Sequence, residues 1–290
     1  MSDDANAKVA RMLREVADLL HQQQANPFRV SAYRRAAQTV DTLAEDIGAL
    51  AQREGIDGLV ALPGIGRSLA SAILEILRTG RWAQLERLRG AVEPESLFQT
   101  IPGVGPELAR LIHESLEVET LEALEVAAHD GRLDQVPGIG ARRLDMIRAA
   151  LAAMLGRRPA RARTPAAEPD VALLLDVDRD YRDQAAAGRL RKIAPRRFNP
   201  SGDAWLPILH AQRGDWQLTA LYSNTARAHE LGRVRDWVVI YFHSDDQPEG
   251  QRTVVTETHG EFEGLRVVRG REGDCADHYR RGHGTAEGAA

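Results

Sequence analysis

Three copies of one five-residue pattern constrain this chain more than any other feature of it. Leu62-Pro63-Gly64-Ile65-Gly66, Ile101-Pro102-Gly103-Val104-Gly105 and Val136-Pro137-Gly138-Ile139-Gly140 share the form apolar-Pro-Gly-apolar-Gly. Their first glycines lie 39 and 35 residues apart, and each copy is followed by apolar residues at helical spacing, as Leu69, Ala70, Ile73 and Leu74 follow the first. The glycines permit a tight turn and remove the Cβ atoms that would hold a ligand off the main chain, while the apolar residue between them anchors the turn to a core. A helix that starts at such a turn aims its unbonded N–H groups and positive dipole end outward, where a phosphate fits.

A single copy also reads as an ordinary helix-helix turn. Three in succession read as a helix-hairpin-helix array that binds nucleic-acid backbone through Gly64, Gly66, Gly103, Gly105, Gly138 and Gly140. A net charge of −4 is ill suited to a polyanion partner when evenly spread, but here it is unevenly spread. Residues 1–155 hold 17 basic and 22 acidic side chains, 156–169 hold 4 and 1, and 170–290 hold 17 and 19. Affinity must therefore come from local patches and backbone N–H groups, and it should be modest and salt-sensitive.

With 290 residues the chain has room for two domains, and it contains no apolar run of membrane length. Its acidic start, Met1 to Asn6, lacks an export signal, and the lone Cys275 fits a reducing compartment, so the expected location is the cytoplasm. Of 38 basic residues only Lys8 and Lys192 are lysines, which leaves very few amine nucleophiles.

Val9, Met12, Leu13, Val16, Leu19 and Leu20 mark one face of a first helix, and Asn26-Pro27 ends it. A second helix carries Arg29, Tyr33, Arg34 and Arg35 close together, which suits either DNA contact or a solvated face. A third, around Ile47–Arg53, leads to the first hairpin. Asn26-Pro-Phe-Arg-Val-Ser-Ala-Tyr-Arg-Arg-Ala-Ala, Leu62-Pro-Gly-Ile-Gly-Arg-Ser-Leu-Ala, Thr79-Gly80, Ile101-Pro-Gly-Val-Gly-Pro, Gly131-Arg-Leu and Val136-Pro-Gly-Ile-Gly together resemble the N-terminal region of family X DNA polymerases. Bacterial members are the more similar ones, since they carry the third hairpin. The resemblance covers about residues 6–155.

This resemblance implies a helical domain that binds the 5′-phosphate of a DNA gap, with Arg29, Tyr33, Arg67 and Ser68 as the pocket. It also implies a second hairpin that grips the strand across the gap. A monovalent cation, Na or K, would sit on backbone carbonyls near Val60, Leu62 and Ile65 in the first hairpin and near Gln99, Ile101 and Val104 in the second when DNA is bound; no other cofactor is required. The family's lyase lysine falls on Ala72 and a second pocket lysine on Ser68, and neither side chain forms a Schiff base. Lys8 is the remaining candidate.

Residues 156–169, with Arg157, Arg158, Arg161 and Arg163 among Pro and Ala, read as a flexible linker. Asp176-Val177-Asp178 imitates a polymerase metal pair, but no Gly-Ser precedes it and Asp170–Ala187 reads as a helix stopped by Gly188. Strand-like runs follow at Trp205–Ala211, Gln217–Tyr222, Trp237–His243, Thr253–Thr258 and Leu265–Arg269, with a hairpin signal at Arg213-Gly214-Asp215 and a short helix at Ala226–Leu231. Arg196-Arg197-Phe198, in a Pro-bounded loop, suits phosphate contact with base stacking or a plain surface loop. The histidines and Cys275 lack metal-binding spacing.

The expected protein is thus α+β: an all-α module of three hairpins over 1–155, a linker over 156–169, a mostly antiparallel α+β domain over 170–279 and a disordered tail over 280–290. Its expected role is non-catalytic binding of gapped, nicked or 5′-phosphorylated DNA in repair, with a repair protein as a further partner and no membrane. The alternatives are a lyase or nuclease, or a repair adaptor.

Overall fold

A computed structural model describes residues 5–91, 94–155, 168–245 and 247–284. The first half is helical: α1 (Ala5–Gln22), α2 (Pro27–Asp41), α3 (Ile47–Val60), α4 (Arg67–Thr79), α5 (Ala83–Leu88), α6 (Pro94–Phe98), α7 (Pro106–Leu116), α8 (Leu121–His129) and α9 (Ala141–Met154). Local signals set most of the boundaries. Asn26 caps α2 by accepting from the Phe28 N–H, with Pro27 at the first helical position. Asp46 caps α3, whose course is broken at Gly55 (φ 66°), and Gly80 closes α4 in the left-handed conformation.

The second half opens with α10 (Val171–Ala186), within the helix expected over Asp170–Ala187 and capped by Asp170. A six-stranded antiparallel meander follows, β1 (Arg191–Ile193), β2 (Leu206–Arg213), β3 (Trp216–Tyr222), β4 (Val238–Ser244), β5 (Gln247–Thr256) and β6 (Arg266–Val268), with strands in sequence order. The short α11 (Ala226–Glu230) lies between β3 and β4, and α12 (Glu272–Gly284) follows β6. Gly214, at φ 57°, makes the β2–β3 turn.

One face of the sheet carries α10: the Tyr181 hydroxyl donates to the Pro207 carbonyl and accepts from the Tyr222 N–H. The other face carries the helical half. His210, Thr219, Tyr241 and Gln251 lie in one cross-strand row. Each meets that half: His210 bonds Gln23, Thr219 accepts from Arg29, Tyr241 donates to Glu119, and Gln251 bridges the Glu117 carbonyl and the Glu119 N–H. Six of the seven β4 residues are therefore buried, which is the reason that strand reads as a nearly unbroken apolar run.

This coverage changes the expected layout. The apolar core of α1–α5 is continuous with that of α10 and the sheet, so the first hairpin shares its core with the second half of the chain. Hairpins two and three, in α6–α9, have a core of their own built on Phe98, Ile112, Leu124 and Ile147. The expected single unit over 1–155 is in packing terms two. Residues 156–167, including the four linker arginines, lie outside the described residues. Glu168 and Pro169 are docked on Arg252 and Arg271.

The tail is also corrected, because α12 runs through residues 280–284. It is fastened by buried Cys275, whose sulfur accepts from the Val268 N–H, and by Tyr279, which donates to the Arg266 carbonyl. Residues 285–290 lie outside the described residues. Among the described residues no helix is long and apolar enough to cross a membrane.

Candidate nucleic-acid interface

The three repeats fold into the same loop. Within each, the residue between the glycines donates its N–H to the carbonyl three residues back: Ile65 to Leu62, Val104 to Ile101 and Ile139 to Val136, each at 3.1 Å. The first glycines have φ of 74°, 81° and 87°, a region closed to most side chains. The second glycines are extended and serve as N-caps of α4, α7 and α9 without any side-chain cap. Ile65, Val104 and Ile139 are buried, while Gly64, Gly66, Gly103, Gly105, Gly138 and Gly140 are exposed. Each loop thus presents bare backbone donors at the positive end of a helix.

Their surroundings make the three unequal. In the first hairpin the Ser68 N–H donates to the Asp245 carbonyl from the β4–β5 turn (3.4 Å), and the Ser68 hydroxyl meets His243 Nδ1. Exposed Arg67 stands 3.9 Å from Asp57. In the second, Pro106 removes one donor and Glu107 adds a negative charge, while Arg110 is held by Glu107 and Glu114. In the third, the Arg143 N–H turns back to the Gly140 carbonyl (3.0 Å), the Ala141 and Arg142 N–H groups make no backbone bond among the described residues, and the Arg142 and Arg143 side chains add charge. Arg143 folds back on the Gly138 carbonyl (2.6 Å), and Arg142 has no ion pair among the described residues.

The expected 5′-phosphate pocket comes together only in part: Tyr33 and Ser68 line one small cavity with Ala72, Glu75, Trp82 and His243, whereas Arg29 and Arg67 are not among its walls. Arg67 and Ser68 stand at the start of α4, but Arg29 and Tyr33 face inward and are only 6% and 4% exposed. The Arg29 guanidinium reaches Thr219 on β3, and the Tyr33 hydroxyl donates to Gln84. Arg34 and Arg35, one residue further round α2, remain exposed, with Arg34 near Asp18.

His210 and His243 lie in the same buried interface. Burial, reinforced by the charges of Arg29 and Arg87, pushes both imidazoles well below the ordinary range, so they are neutral at pH 7. Arg87, which the sequence did not mark, is 2% exposed, pairs with Glu249 at 2.6 Å and stacks 3.5 Å over the Tyr241 ring.

Other expected groups fall elsewhere. The Lys8 ammonium lies beside Gly80, at the far end of α4 from the first hairpin, roughly 20 Å away for a helix of this length. Asp178 is fully buried between Arg266 (2.5 Å) and Arg182 (3.0 Å), a structural ion-pair cluster on α10. Arg197 pairs with Glu95 (3.1 Å), whereas Phe198 remains half exposed against His229. Of the cation carbonyls, those of Leu62 and Ile101 each accept a single N–H and keep a lone pair, a hard oxygen donor of the kind Na or K takes. Val60 and Gln99 stand at the corresponding entries to the two loops, with Ile65 and Val104 inside them.

Sequence comparison agrees with this architecture. Residues 4–82 match the family model described as a helix-hairpin-helix domain, and residues 95–153 match a SAM-like helix-hairpin-helix tandem. The division falls where the two apolar cores divide. The chain is 30% identical over 155 residues to the DNA polymerase/3'-5' exonuclease PolX of Bacillus subtilis. That match takes in 53% of this chain but 26% of the relative's length. The N-terminal half of the chain is thus a helix-hairpin-helix region of the kind found in family X DNA polymerases.

Proposed function

We propose that the chain is a DNA-binding protein of repair that holds the sugar-phosphate backbone at its hairpins and performs no phosphoryl transfer itself. The observation that carries this reading is the threefold loop, with its exposed glycines and uncapped helix starts. The third hairpin leads, because Gly138, Gly140, Ala141 and Arg142 offer unobstructed donors and a free guanidinium. The first hairpin contributes Gly64, Gly66 and Arg67; the second contributes Gly103 and Gly105 more weakly. Arg34 and Arg35 add screened attraction from α2.

Gapped, nicked or 5′-phosphorylated DNA is the proposed form, with recognition of a terminal phosphate resting on Arg67 rather than on the covered Arg29 and Tyr33. A monovalent cation would be held by the Leu62 and Ile101 carbonyls and would supply positive charge beside a bound phosphate. The burial of Asp178 in ion pairs supports the absence of nucleotide transfer. Titration of the full-length protein with intact duplex, a gap bearing a 5′-phosphate and the same gap without it, across a salt series, tests the reading. Steeply salt-dependent binding to all three, strengthened about tenfold by the phosphate, or about 1.4 kcal/mol, is the expected result. No binding to any of them would overturn it.

A further inference from the structure

The first hairpin differs from the other two in having an acceptor from this same chain seated on its helix start. The Ser68 N–H, in the first turn of α4, donates to the Asp245 carbonyl at 3.4 Å. That oxygen also lies 3.3 Å from the place a Cβ on Gly66 would take, so it stands against the loop's second glycine as well as the donor. Two residues earlier, on β4, His243 Nδ1 meets the Ser68 hydroxyl at 3.4 Å. In the third hairpin the N–H at the corresponding position, that of Arg142, makes no backbone bond among the described residues.

A carbonyl oxygen on a bare N–H at a helix start does what a phosphate oxygen does there. One N–H does not serve both at full strength, so a phosphate that takes the Ser68 donor must displace Asp245. The junction is loosely made, which keeps that displacement cheap. Both bonds are long for their kind, and the other ring nitrogen of buried His243, Nε2, has no partner. Asp245 itself is exposed and follows the last residue of β4, so it can move without unpacking the sheet. Its carboxylate, one side chain's length from the shared donor, also opposes an arriving phosphate.

We propose that Asp245 is an internal competitor for the first hairpin: it occupies the Ser68 donor in the free protein and yields it to the DNA backbone. The first hairpin therefore binds DNA more weakly than its loop geometry alone allows, and it engages after the third. This rests on the backbone-binding reading above and adds to it a restraint supplied by the second half of the chain.

The test uses the full chain and a variant with two glycines inserted after Asp245, which frees the contact without changing any charge or removing any donor. Anisotropy with a gapped duplex at one fixed salt concentration should show the variant binding about three- to tenfold more tightly, the release of one competing hydrogen bond. The same insertion after Gly214, in the β2–β3 turn, should leave affinity unchanged, and melting curves check both folds. In the native chain, amide exchange at Ser68, relative to its intrinsic rate, should be slower than at Arg142. On titration with the DNA the Ser68 and Asp245 amides should shift together with those of Gly64 and Gly66. Unchanged or weaker binding by the first variant would overturn the proposal. So would a Ser68 amide that exchanges as fast as that of Arg142, or one that stays at its free position while Gly64 and Gly66 shift. Each of these leaves the hairpin reading intact, because the native chain still binds; absence of all DNA binding would remove both.

Discussion

Replacing Glu117 by glutamine should stabilise this protein, and do so more at high pH than at low. Glu117 closes α7 in the left-handed conformation (φ 54°), and its half-buried carboxyl faces Arg227, Arg269, His113 and Glu119. Burial outweighs the lowering effects of Arg227, Arg269 and His113 and raises its pKa from 4.5 to about 7. The folded state therefore holds a proton that the unfolded state has lost, and stability falls as pH rises from the unfolded value through the folded one. At about 1.4 kcal/mol per pKa unit, the penalty relative to a neutral isostere is about 1 kcal/mol at pH 5 and about 3 kcal/mol at pH 8. Denaturant unfolding of the native chain and Glu117→Gln at both pH values measures it. The variant should gain about 2 kcal/mol more at pH 8 than at pH 5. A pH-independent difference, or destabilisation at both values, would refute the argument.

Other substitutions probe the junctions. Gly64→Ala meets no atom within 4 Å and suffers only its left-handed φ, about 1–2 kcal/mol. Gly90→Ala would bring its Cβ to 2.4 Å from the Ala194 carbonyl oxygen, against backbone that the Arg196 N–H bond to Gly90 fixes, so it should cost clearly more, about 3 kcal/mol or above; comparison of the two melting curves checks the order. Arg87→Met leaves Glu249 without its partner in a buried site and should cost about 3–5 kcal/mol by denaturant unfolding. Although burial alone would raise it, the hydrogen bond and charge of His113 and the charge of Arg197 hold the Glu95 carboxyl down at about 2. That stabilisation is complete above pH 4.5 and is lost as pH falls toward 2, so Glu95→Gln should cost about 1–2 kcal/mol at pH 7 and little at pH 2, after discounting for partial exposure.

The hairpins were legible because their demands are local: a left-handed glycine, a buried residue and an extended glycine N-cap within five positions. The caps at Asn26, Asp170 and Gly188 and the strands on either side of Gly214 were legible for the same reason. What covers the sheet was not. The run from Val238 to Phe242 has no polar alternation, which by itself requires two covered faces, but nothing local says what the second cover is. That face carries His210, Thr219, Tyr241 and Gln251, a row whose polarity imitates solvent exposure and which instead bonds the helical half.

The burial of Arg29 and Tyr33 was not legible for the complementary reason. They sit four residues apart on α2, on its covered side, whereas Arg34 and Arg35 lie on its open side. Only long-range packing separates the pairs. A cleft of about 640 Å³ beside the third hairpin was invisible in sequence because the residues that line it, among them Glu117, Arg132, Arg227, Trp237 and Arg269, come from five separate segments. The short β1, three residues long, and α12, fastened by Cys275 and Tyr279, lack a periodic signal strong enough to read locally.

The most direct test of backbone binding at the hairpins is the response of their own amides. In an isotope-labelled full-length protein titrated with duplex DNA, the N–H resonances of Gly138, Gly140, Ala141 and Arg142 should shift first and furthest. Those of Gly64, Gly66 and Arg67 should follow, and those of Gly103, Gly105 and Glu107 should move least. DNA binding that leaves all three loops unshifted would contradict the account.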